Sequence, residues 1–243
     1  MKAITSSAIV ASTTAIASGQ FIDPNLSGDT QFDGWDTLNR SLPQIADNDA
    51  AWPTFPGATP WPEGIGSYLT FGTADRSDDD VTGDAVFNKT SGFGYPAGFS
   101  IYASPFGNGT FEVADNTVVS NIETVVFQIE IGTGSAPTAL SGDPTLTING
   151  TTQVALFNDF LLSSGVSDTG FGPVNVDARA YQWDLRGLGP ITSFAVDFAP
   201  AGTSTTITAL QLDQGNVFTA IPAPGAALTV GAAGVIAARR RRL

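Results

Sequence analysis

The chain has 243 residues, with 23 acidic and 10 basic side chains and neither cysteine nor histidine. Those two absences exclude disulfide frameworks, thiolate metal sites and every mechanism in which an imidazole activates a serine or cysteine. All acidic residues lie between Asp23 and Asp213, where the basic ones are Arg40, Arg76, Lys89, Arg179 and Arg186; five against twenty-three leave a body of charge −18, which repels phosphate and excludes nucleic acid as a partner.

At the start, Lys2 precedes the apolar run from Ala8 to Ala17, and Ala15-Ile16-Ala17 is a small-residue cleavage pattern. Residues 1–19 therefore read as a secretory signal peptide, cut after Ala17 or at Gly19. Residues 20–220 are of a length that suits one all-β domain.

From Asp23 to Gly66, turn formers surround Trp35, Trp52 and Trp61, and Pro53, Pro56, Pro60 and Pro62 crowd together. Proline cannot donate to a ladder, so this first third is expected to be an ordered loop wrapped around a sandwich. Its three tryptophans are either packing anchors or, if exposed, platforms for the apolar faces of sugar rings. The segment DRSDDDVTGD follows, and Asp75, Asp78, Asp80 and Asp84 around Gly83 form the candidate calcium site, because Ca²⁺ takes carboxylate and carbonyl oxygens in flexible loops. EF-hand spacing is missing, and a solvated acidic turn is the alternative.

Strand signals begin at Ser67 to Gly72 and continue through Phe93 to Tyr102 and Gly109 to Ala114. Strict alternation over Thr124 to Ile131 points Val125, Phe127, Ile129 and Ile131 one way and Thr124, Gln128 and Glu130 the other, which predicts a half-buried strand with Glu130 on its exposed face. Thr145 to Ile148, Asn149-Gly150 and Thr151 to Phe157 spell a hairpin with a type I′ turn. Further strands are expected at Arg179 to Leu185, Ile191 to Phe198 and Thr205 to Asp213. Only Val154 to Leu162 carries any helical period. The fold expected is all-β, a single antiparallel β-sandwich of jelly-roll-like kind with a loop-rich N-terminal third.

Enzymatic chemistry is left with carboxylates alone. Glycoside hydrolysis needs two of them held about 5 to 9.5 Å apart, one with a raised pKa. Glu63, Glu112, Glu123 and Glu130 are the only glutamates. Nothing in their spacing marks a pair, so the chain reads as a non-enzyme.

Residues 221–243 differ from everything before them. Pro222-Ala223-Pro224 leads into a stretch without charge from Gly225 to Ala238, and Arg239, Arg240, Arg241 and Arg242 close it. Fourteen residues span about 21 Å as a helix, against a hydrocarbon core of about 30 Å, so the stretch holds a membrane only marginally. The arginines act as a cytoplasmic stop, which puts the body outside. This arrangement resembles the PEP-CTERM sorting signal of bacterial exported proteins. The resemblance implies a short transmembrane helix over about 225–238 and an exosortase-type membrane protease as partner, reading Pro222, Ala223 and Pro224. Ala223 stands where the family has Glu. Export to the envelope or beyond follows from the resemblance, with a structural or adhesive role, or else a carbohydrate-binding one on exopolysaccharide, with calcium as the one cofactor the acidic loop could take.

Overall fold

The computed structural model describes residues 21–38, 60–61, 63–97, 100–102, 109–134, 138–169, 172–202 and 204–221. Residues 1–20, where a signal peptide is expected, Trp52 with Pro53 and Pro56, and residues 222–243 lie outside these. The described residues form thirteen strands and no α-helix: β1 (Ser27–Trp35), β2 (Ile65–Gly66), β3 (Val86–Ser91), β4 (Tyr95–Ala97), β5 (Ser100–Tyr102), β6 (Thr110–Asp115), β7 (Thr124–Gly132), β8 (Thr145–Ile148), β9 (Thr152–Val154), β10 (Leu156–Thr169), β11 (Gly172–Asp184), β12 (Phe194–Phe198) and β13 (Thr206–Val217).

They make two antiparallel sheets. The larger runs β10-β11-β7-β13-β5-β4, and the far edge of β13 is shared: β5 pairs with Thr206 and Ile207, while β1 pairs from Leu210 onward. The smaller sheet runs β2-β3-β6-β12-β8-β9. Chain order crosses repeatedly between them, since β5, β6, β7 and β8 alternate sheets, as do β11, β12 and β13.

One apolar cluster fills the space between the sheets. Val125, Phe127, Ile129 and Ile131 of β7 meet Phe111, Val113, Phe194, Val196 and Phe198 of the smaller sheet, as their alternation requires. Phe127 and Phe198 lie 5.2 Å apart between ring centroids, and Phe87 and Phe111 stack at 5.7 Å. The hairpin at Asn149-Gly150 has φ of 49° and 69°, the paired positive values that a type I′ turn needs. Val154 to Leu162 is strand apart from Ala155.

The strand expected at Ser67 to Gly72 is a loop with a single bridge from Tyr68 to Trp35, and two larger expectations also need correction. The first third is not all loop, because β1 pairs with β13 over much of its length. Its sequence, SGDTQFDGW, carries two aspartates and two glycines and hides the pattern, since its polar residues bond specific partners. Nor is β7 half-buried. All nine of its residues are buried, and Glu130 is only 2% exposed. The outer face of the larger sheet is roofed by chain: Phe21 packs on Ala178 and Ala209, the lateral neighbours of Glu130, and Ile221 packs on Val126 and Ala180.

Candidate functional site

Three polar places stand out on this frame. The first is the acidic loop. Asp78 accepts the Leu69 N–H at 3.1 Å, and Asp80 accepts both the N–H and the hydroxyl of Ser77, closing a capping box on the 3₁₀ turn Asp78–Asp80. Those bonds to Ser77 hold the Asp80 carboxyl below its ordinary pKa. Asp75 sits at positive φ in the tight turn from Thr73 to Arg76, and Asp84 takes the Thr117 hydroxyl. Asp78, Asp80 and Asp84 are thus each engaged in a separate local bond. Among the described residues, no group of three or more Asp or Glu side chains is placed to hold a metal ion.

The second place lies inside one end of the sandwich. Asp33 of β1, wholly buried, accepts the Ser67 hydroxyl at 2.6 Å through Oδ1, while its Oδ2 is buried without a hydrogen bond, packed against Gly83. Asp115 ends β6, 1% exposed, and accepts the Thr117 N–H at 2.6 Å and the Gln214 amide. Burial raises the Asp33 pKa from 3.8 to about 7; the Ser67 hydroxyl and the nearby Ala85 N–H oppose the rise, and the charges of Asp115 and Asp84 add to it. Asp33 and Asp115 were not legible as a group, because they lie far apart along the chain and on two different sheets.

The third place is the roofed outer face of the larger sheet. Gln128 of β7 bonds both ends of one residue: its carbonyl accepts the Ile22 N–H at 2.9 Å and its amide donates to the Ile22 carbonyl at 2.8 Å. Gln182 of β11 holds the other terminal segment across Ala220, donating to Thr219 O at 2.7 Å and accepting the Ile221 N–H at 3.0 Å. Each amide thereby stands in for a strand's peptide group. Arg76 adds a third cover. Its guanidinium lies 3.7 Å from the Phe32 ring centre and pairs with buried Asp213 at 2.6 Å. Burial raises the Asp213 pKa in spite of that partner.

Of the three candidate sugar-binding tryptophans, the two described, Trp35 and Trp61, are buried and form no platform. Trp35 is fully buried and donates to the Ile65 and Gly66 carbonyls at 3.0 and 2.9 Å. Trp61, 7% exposed, packs edge-on against Phe87 at 5.6 Å, over the buried ammonium of Lys89. Trp52 lies outside the described residues. Among the described residues the exposed aromatics are Phe71, Phe157 and Tyr68, at 71%, 45% and 39%, and of these Tyr68 and Phe71 share one loop. Their loop is pinned by Asp36, whose carboxylate takes the N–H groups of Thr70, Phe71 and Gly72 at 2.7, 2.6 and 2.7 Å.

Pro222, Ala223, Pro224 and Arg239 to Arg242 also lie outside the described residues, as does the stretch 225–238. Among the described residues, no helix is long and apolar enough to cross a membrane. No protein-family model matches the chain, and no curated protein resembles it at a significant level.

Proposed function

We propose that this is a non-catalytic exported protein of the cell surface or extracellular matrix, sorted and processed through a PEP-CTERM-like tail, with a structural or adhesive sandwich as its body. The observation that carries the reading is where the body meets its ends. The segment after the leader and the segment before the tail both lie on the outer face of the larger sheet, where Leu26 and Ile221 belong to one apolar cluster. Both segments thus engage one face of the body, and the outer face of the smaller sheet lies on the side opposite Ile221. The repeated crossing between sheets supports the jelly-roll-like form of the sandwich.

The perturbed carboxylates also fit a structural role, since Asp33, Glu130 and Asp213 each bond a neighbouring side chain inside the fold. The test is fractionation of the full chain in an exosortase-bearing host, with Arg239 to Arg242 replaced by glutamate in parallel. Envelope localisation that the replacement abolishes supports sorting; unchanged fractionation rejects it. A carbohydrate-binding role, with or without Ca²⁺, is the second reading. It is favoured by exposed Phe71 on its pinned loop rather than by the tryptophans. A glycan screen with wild type and Phe71→Ala decides it, because only a binding role makes retention depend on Phe71.

A further inference from the structure

The terminal segments are gripped in an unusual way. After β13 the chain leaves the ladder, yet its backbone remains engaged for four more residues. The Phe218 N–H donates to Glu123 at 3.0 Å, and the Phe218 ring sits between Phe157, at 5.1 Å, and the Arg186 guanidinium, at 4.1 Å. Gln182, wholly buried, then takes the Thr219 carbonyl and the Ile221 N–H, and the Ile221 side chain is 2% exposed. Pro222 and Pro224 follow, and neither has an N–H with which to extend a ladder. At the other end, Ile22 has both backbone groups on Gln128, and Phe21 is 5% exposed.

Proteases bind their substrates extended, through the same backbone N–H and C=O groups that these glutamines already occupy. We propose that Gln182 and Gln128 are clamps that set the limits of the mature protein: processing of the tail falls C-terminal to Ile221, and leader removal falls before Phe21. The cellular part of this inference rests on the sorting reading above. The clamps themselves do not.

The clamped segments are open to proteolysis only when they detach, and cleavage then tracks the population of the open form. The experiment is limited digestion of the full chain, purified in detergent, with proteinase K, followed by intact-mass measurement. Wild type is expected to yield a resistant fragment that begins at or before Phe21 and ends at or beyond Ile221. Gln182→Ala should lose residues 218–221 at least about tenfold faster while keeping its N-terminus. Gln128→Ala should do the reverse. Ile221→Asp frees the C-terminal segment without replacing any strand residue and should reproduce the Gln182→Ala loss even if that variant folds poorly. Wild type trimmed to Val217 as fast as the variants would overturn the proposal. So would a mature cellular form ending between Phe218 and Ala220. A cellular chain that is never processed rejects sorting alone, because the digestion still reads the clamps.

Discussion

Asp33 makes the stability of this protein depend on pH in a direction opposite to that of an ordinary salt-bridged carboxylate. Its pKa rises from 3.8 to about 7 on folding, chiefly through burial. The folded value lies above the unfolded one, so the stability held by protonated Asp33 is fully present below pH 3.8 and is lost as pH rises through 7. At 1.36 kcal/mol per unit, the rise corresponds to about 4 kcal/mol. Asp33→Asn keeps the Oδ1 acceptor for Ser67 and replaces the unpartnered oxygen with an NH₂ group in the field of Asp84 and Asp115. The variant should match wild type near pH 4 and exceed it by as much as about 4 kcal/mol at pH 7.5. In a domain of this size that is roughly 8 to 16 °C in Tm. Urea unfolding of both proteins between pH 4 and 7.5 measures the gap. Lys89, lowered to about 8 by burial, starts to lose its charge at the upper end of this range, but it is common to both proteins. Glu130 and Asp213 are also raised, but they are common to both proteins and cancel in the difference. Two parallel stability curves, with no pH-dependent gap, would refute the assignment of the titration to Asp33.

Arg76→Met strands the Asp213 carboxylate in a buried place and should cost about 3–5 kcal/mol at pH 7 by thermal unfolding. Adding Asp213→Leu should recover most of it; additive losses would show that the pair is not coupled. Asp78→Asn with Asp80→Asn removes the charge that strengthens the local bonds to Leu69 and Ser77, and the resulting small fall in Tm should be the same with and without millimolar Ca²⁺. A Ca²⁺-dependent rise in Tm confined to wild type would instead put the ion in this loop. Trp61→Ala should destabilise the fold by about 3–5 kcal/mol as a core truncation, whereas Phe71→Ala should leave stability within about 0.5 kcal/mol. The reverse order, by calorimetry, would contradict the burial of the one and the exposure of the other.

Inner faces were legible and outer faces were not. The alternation of Val125, Phe127, Ile129 and Ile131 places those four residues correctly in the core. The Asn149-Gly150 turn is likewise written locally, because positive φ at two successive positions selects those residues. By contrast β3, with the sequence VFNKTS, buries Lys89 beside its apolar residues, so its alternation is broken at the position that matters. Trp35, Trp61 and Trp183 are buried, but sequence cannot say whether a tryptophan's large area meets protein or ligand. Asp33, Asp84 and Asp115 become neighbours only through the stacking of two sheets, and no spacing rule reaches across that distance.

The outer face of the larger sheet shows why polarity alone misleads. Gln128 and Glu130 alternate with apolar residues just as solvent-facing side chains would, and a strand read by itself offers no means of telling a face met by water from one met by chain. The difference lies in the kind of polar residue. A buried side chain that must satisfy a passing peptide needs both a donor and an acceptor without charge, and glutamine provides this where lysine and glutamate cannot. Gln128, Gln182 and Gln211 stand on the three adjacent strands β7, β11 and β13, with Gln128 directly opposite Gln211, and all three bond the terminal segments. A concentration of glutamine on neighbouring central strands is therefore a signal of a strap lying across the sheet, and one that could have been read only after the strand order was known.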